Sequence, residues 1–218
     1  ADLAKLIAGG GSITVDDNST NITLKSTDAD SNLGPILDLL RDGGSPADSD
    51  FIGQVRFQAK DDGGNIHEYA KIFGQIADVT GGTEDGILNI RTVLNGTDTR
   101  RIDLGVTETV FNEDSADLDF RVESDGNANM LFVDAGNDRV GIGTSSPSNR
   151  LSVLAADGDA DNAYVATFKN QEATDDRSFG VLINAGSTST DSALVVTDHD
   201  ASNNLFVVKG DGKAIVNN

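Results

Sequence analysis

Cysteine and tryptophan are absent from the 218 residues, and proline occurs only three times. Without cysteine there are no disulfide staples, no thiol nucleophile and no Cys-ligated zinc. Aromatic residues make up 5% of the chain and hydrophobic residues 37%, below the roughly 45 to 50% apolar share of ordinary globular chains. A single compact core is therefore under-supplied. Positive charge is scarce as well: 16 basic residues stand against 36 acidic ones, a formal net charge of -20. Such a surface repels nucleic-acid phosphates and anionic membranes, so neither nucleic-acid binding nor membrane insertion is expected. Among copies the repulsion is tolerable at high ionic strength, where the screening length falls to roughly 3 to 8 Å.

Long hydrophobic runs are missing too. The first residues, Ala1 to Ala8, hold one cation and no long apolar core, so they read as neither a secretory signal nor a membrane span. The expectation is a protein made in the cytosol, with Ala1 exposed by removal of an initiator Met.

What is present is a pattern of short apolar clusters separated by Gly, Asp, Asn and Ser, which is a β-rich signature. Residues 1–11 end in three glycines and read as an N-terminal attachment arm. Ser12–Val15 and Asn21–Leu24 alternate at period two across a polar turn, as a hairpin does. Pro35–Arg41 fits a short helix with Pro at its first position or a strand, and its setting favours the strand. Val55, Phe57 and Ala59 alternate, Asp61–Gly64 supplies a turn, and Ala70, Ile72 and Ile76 resume the alternation. Leu88, Ile90, Thr92 and Leu94 run into Asn95-Gly96, the strongest short hairpin signal, and Ile102 and Leu104 fit the return strand.

Two later regions are copies of a kind. At an offset of 74, Phe120–Ile142 laid over Leu194–Val216 shares Val122/Val196, Asn129/Asn203, Leu131/Leu205, Phe132/Phe206, Val133/Val207 and Gly136/Gly210. Each copy has an alternating strand, a polar turn, a Leu-Phe-Val block, a Gly-centred turn and a final short strand. A local duplication of a β unit is the economical reading. Expected domains are thus the arm at 1–11, a β-rich body at 12–112, a first Leu-Phe-Val module at 113–147 and a second at 148–218.

The segment Asp119–Asp134, followed by Arg139-Val140-Gly141-Ile142-Gly143-Thr144-Ser145-Ser146-Pro147, resembles the "VGIGT-SP" region of phage tail-fibre and related virion structural proteins, especially marine ones. Ser45–Gln54, Gly82–Gly86 and Thr107–Asn112 resemble the same proteins, so the likeness covers roughly residues 31–150. It implies an elongated homotrimeric virion appendage, assembled in the host cytoplasm, with a host surface receptor and other virion proteins as partners. It brings no catalytic residue. Fibres bearing this region often continue into a self-cleaving chaperone domain, which these residues do not include.

The expected fold is all-β: elongated, mainly antiparallel β modules assembled as a homotrimeric fibre, with the arm contacting other virion proteins. The expected trimer core is Phe120, Val122, Leu131, Phe132, Val133, Val140, Ile142, Leu205, Phe206 and Val207. Gly141 and Gly143 would leave one strand face bare for a neighbouring subunit's backbone, and Pro147 would end that strand. Alternatives are a capsid-surface decoration or head fibre, a bacterial extracellular adhesin filament, and a polysaccharide depolymerase.

The remaining candidates weigh toward bland roles. His67 reads as a surface strand residue. His199 lies between Asp198 and Asp200, a weak metal pattern with no third ligand in the spacing. Asp157-Gly158-Asp159-Ala160-Asp161-Asn162 resembles a calcium loop but lacks Gly at its sixth place and Glu at its twelfth; Asp28-Ala29-Asp30 is weaker still. No cofactor is expected, with calcium the one ion kept open. With 36 acidic residues, some carboxylate pair is always close, and only Tyr69 and Tyr164 supply tyrosine rings, so a glycosidase cleft is not favoured. The glycines are not followed by the Lys-Ser/Thr of a phosphate loop. The sequons at Asn18, Asn21 and Asn95 read as turn residues.

Overall fold

A computed structural model of the chain describes residues 22–155, 164–172 and 179–216. Among them there is no helix; every regular element is a strand. The expected arm at 1–11, the strand Ser12–Val15, the Asp157–Asn162 loop and the sequon asparagines Asn18 and Asn21 lie outside these residues.

Two compact units divide the chain. One comprises Ala1–Arg121 with Val133–Asp138, the other Val122–Phe132 with Arg139–Asn218. In the first, β1 (Phe51–Lys60), β2 (Ile66–Asp78), β3 (Asp85–Leu94), β4 (Thr97–Leu104) and β5 (Thr109–Phe111) form a five-stranded sheet in sequential order. All four pairings are antiparallel.

Local sequence explains these hairpins. At the β1–β2 turn the Asp61 carboxylate accepts from Asn65 N at 2.7 Å, and Gly64 takes φ 85°. At the β3–β4 turn Asn95 and Gly96 take φ 49° and 80°, the two positive angles that a tight primed turn requires. The sequon asparagine Asn95 is thus a turn residue.

A second sheet has the order β6-β7-β8-β9: β6 (Phe120–Val122), β7 (Leu131–Asp134), β8 (Arg139–Ile142) and β9 (Leu151–Val153). The unit division runs through it. A third sheet, β10 (Ser192–Thr197), β11 (Asn204–Lys209) and β12 (Ala214–Val216), is an antiparallel meander. Adding 74 carries β6, β7 and β8 onto β10, β11 and β12, so the repeat read from sequence is also a repeat of strands. Its turns follow suit: Asp138 has φ 54° and Gly212, 74 positions on, φ 86°. The β8–β9 pair departs from the antiparallel rule, being parallel across an eight-residue connection.

Three expectations are overturned. Pro35–Arg41 is not a strand. It passes over β1 rather than beside it: a Cβ on Gly53 would stand 2.8 Å from Leu39 Cβ, and Arg41 Nη1 donates to Phe51 O at 2.8 Å. A segment lying across a sheet cannot join its hydrogen-bond ladder. Ile22–Leu24 likewise belongs to no strand and is exposed.

The glycines of the Val140–Thr144 stretch are the third correction. The backbone that approaches them is the chain's own: a Cβ on Gly141 would strike the Thr144 carbonyl, and one on Gly143 the Leu154 carbonyl. Gly143, at φ 77°, turns the chain at the end of β8, so the strand stops at Ile142. Pro147 lies in the connection to β9, its carbonyl accepting from Arg139 Nη1 at 2.8 Å.

Candidate functional site

Alternation gives the two faces of the β1–β5 sheet different chemistry, because side chains opposite one another across a ladder share a face. One face carries Val55, Ile72, Ile90, Ile102 and Phe111 in a single transverse line through all five strands. Beside it run Gly53, Gly74, Leu88 and Leu104, and on the other side Phe57, Ala70, Thr92 and Thr99. At the glycine end Leu39 lies against Gly53 and Ile52 near Gly74. Val55 is 41% exposed, Phe57 55%, Leu88 42% and Phe111 50%, whereas Ile90 and Ile102 are half-buried and Thr99 is buried. One contact softens this, the Phe111 ring lying 5.0 Å from Phe120.

The opposite face is charged. Arg56, Lys71, Arg91 and Arg100 stand in register on β1, β2, β3 and β4. Like charges directly opposite destabilise a sheet, and four carboxylates offset them. Glu68 lies 3.8 Å from Arg56 and 3.0 Å from Lys71; Asp98 lies 2.8 Å from Lys71 and 3.0 Å from Arg91; Asp103 and Asp114 bind Arg100 at 3.0 and 3.1 Å.

The pairing appears in the titration of these groups. The hydrogen bond to Asp98 raises Lys71 above its ordinary value. Partial burial pushes Asp98 upward, but Lys71 and Arg91 outweigh it and hold the carboxyl below 3.8. Asp114 is held low chiefly by the backbone N–H of Arg100.

A groove of about 500 Å³ opens on this charged face, lined by Phe51, Gln54, Lys71, Phe73, Arg91 and Asp98 among others. Phe73 is 7% exposed and meets Phe51 edge-on at 5.3 Å, while Lys71 and Arg91 stand over its ring at 5.8 and 5.6 Å. Both cations are bound to Asp98 and Lys71 also to Glu68, while Arg91 Nε is buried without a hydrogen-bond partner. Its chemistry is that of a braced sheet face.

The residues expected to form a trimer core are distributed unevenly. Phe132 and Val207 are buried within the chain itself. Phe120, Leu131, Val133, Val140 and Phe206 are half-buried. Val122, Ile142 and Leu205 are exposed. Sequence reading missed the line Val55–Ile72–Ile90–Ile102–Phe111; its signal was the same period-two alternation that marked the strands, but the register that aligns the five positions is long-range.

The other candidates have local explanations. His67 Nε2 pairs with Asp61 Oδ2 at 3.0 Å on the surface. Asp198 accepts from the N–H of Asn203 at 3.0 Å and from its amide at 2.6 Å, which draws the carboxyl down to about 2; its oxygens close a turn beside His199. Asp28 and Asp30 accept from the N–H two residues on. Among the described residues no three His, Asp or Glu side chains converge as a metal site, and no helix is long and apolar enough to cross a membrane.

No protein-family model matches the chain, and no curated protein is similar to it.

Proposed function

We propose that this chain is a non-catalytic structural protein that works as a homo-oligomer, a trimer by preference, and that it forms a fibre-type phage appendage supporting host attachment. The observation carrying the self-association is the apolar face of β1–β5. An antiparallel sheet normally packs one face on a core and leaves the other to water. Here the face left open is the apolar one, while the charged face is internally neutralised.

Contiguous exposed apolar surface of this size marks an interaction site. Covering roughly 500 Å² of it, at about 25 cal/mol per Å², contributes about 12 kcal/mol, the same order as the cost of association. Identical copies are the natural cover, since the apolar line meets its own kind without burying a carboxylate, and Arg101, whose side chain reaches this face, already donates to Thr92. Few of the described apolar side chains are buried, Phe73, Phe132 and Val207 foremost, which supports the same reading: stability is to be completed between chains.

The phage assignment rests on the likeness of the Asp119–Pro147 region to fibre proteins. A capsid-surface decoration protein would use the same faces, and imaging the intact particle with an antibody to this chain separates the two. Analytical ultracentrifugation tests the oligomer directly. A trimer at micromolar concentration is the expected result; a monomer overturns the reading. A depolymerase would lower the viscosity of host polysaccharide, and the expected result is no change.

A further inference from the structure

The two copies of the repeat differ at one edge. In the first, β8 is flanked by β7 and, on its other side, by β9. The β8–β9 register is Val140 to Leu151, Gly141 to Ser152 and Ile142 to Val153. Val140 N donates to Arg150 O at 2.8 Å, and Leu154 N to Ile142 O at 2.9 Å. In the second copy the equivalent strand, β12, is the last in its sheet among the described residues. The offset of 74 carries Val140 onto Ala214 and Ile142 onto Val216. Lys213 O accepts from Lys209 N of β11 at 2.8 Å, so by the alternation of the ladder the backbone groups of Ala214 and Val216 are directed to the outer edge.

An open edge of this kind is a template for a further strand. Ala214-Ile215-Val216 contains no charge and no proline to repel one, and Val216 is 68% exposed. The occupant of the matching edge in the first copy has the pattern apolar, small hydroxyl, apolar: Leu151-Ser152-Val153. Ile22-Thr23-Leu24 repeats that pattern, belongs to no strand, and exposes Ile22 at 64% and Leu24 at 51%.

We propose that the outer edge of β12 accepts Ile22–Leu24 of a second copy of this chain as a parallel strand, in the register Ala214 to Ile22, Ile215 to Thr23 and Val216 to Leu24. The donor being a second copy, the proposal rests on self-association, but it uses a surface other than the apolar face of β1–β5.

The chain's lack of cysteine makes the test direct. Ile22→Cys and Ala214→Cys are made as separate full-length variants, one carrying a mass tag, mixed and mildly oxidised. Adjacent strands place paired residues within disulfide reach, so the expected product is a mixed dimer joined at 22 and 214. Its absence, or formation of 214–214 dimers alone, overturns the proposal. So does a 22–214 disulfide formed within single chains of the double variant at high dilution. Amide exchange on the unsubstituted protein gives a second reading: the Ala214 N–H is expected to be protected in the assembled protein, and unprotected exchange overturns the pairing. Sedimentation of the same samples keeps the failures apart. Assembly without the mixed disulfide removes the edge contact alone, whereas a monomer removes the self-association beneath it.

Discussion

Ile72 of β2 stands directly opposite Ile90 of β3, at the middle of an apolar line that crosses all five strands of its sheet. A carboxylate there would be trapped between copies without a partner. Ile72→Asp is expected to shift sedimentation from oligomer to monomer while the far-ultraviolet β signal persists, because in the separate chain Ile72 is 38% exposed. Gln54→Asp, on the opposite face, should leave the oligomer unchanged.

Asp98 holds Lys71 and Arg91 together at the centre of the cation line. Asp98→Asn leaves those two charges facing each other across β2 and β3. Its side chain is 41% exposed, so solvent screening limits the loss to about 1 kcal/mol. Thermal unfolding should record that loss, and Lys71→Met in the same chain should recover part of it.

Gly143 combines a φ of 77° with the Leu154 carbonyl where a Cβ would stand. Gly143→Ala should therefore cost about 1 to 3 kcal/mol and release the amide protection of Leu154 where β9 joins β8. Gly180→Ala, with nothing within 4 Å of the added carbon, should be neutral in the same urea titration.

The turn around Asp198 has a defined acid limit. Its carboxyl falls from an ordinary 3.8 to about 2 through the Asn203 hydrogen bonds. A lowered folded value means the contribution is fully present above 3.8 and is lost as pH falls through about 2. The Asn203 amide shift, followed by NMR, should hold steady down to about pH 3 and move only below it. A midpoint near 3.8 would show that the carboxylate gains nothing from the turn.

The two Leu-Phe-Val blocks should respond differently to truncation. Phe132 is buried in the first copy, whereas in the second it is Val207, the counterpart of Val133. Phe132→Ala should cost about 3 kcal/mol, and Phe206→Ala clearly less. Val207→Ala should in turn exceed Val133→Ala. Chemical denaturation of the four variants decides it.

Much of the fold was legible because its signals are local. Asp61–Gly64 and Asn95-Gly96 declare their turns within four residues, and alternation on either side marks the strands. The repeat was legible for the same reason, since strand, block and glycine recur at one spacing. The transverse lines were not. They depend on register across five strands, and that register shifts at Ile52, Tyr69 and Arg101, where one strand carries an extra residue. Pro35–Arg41 has the composition of a strand, but a strand must lie alongside its partner, and the segment passes over β1 although the outer edge of β1 is the end of its sheet. At Gly141 and Gly143 the sequence showed that something must come close. It could not show that the neighbour was the chain's own Thr144 and Leu154.

A block that is apolar on both sides of its strand, yet turns a different side inward in each duplicate, leaves every duplicate one side free of folding duty. Drift can act on that side while the strand stays in place, so the two halves of the duplication can acquire different contacts without either having to refold.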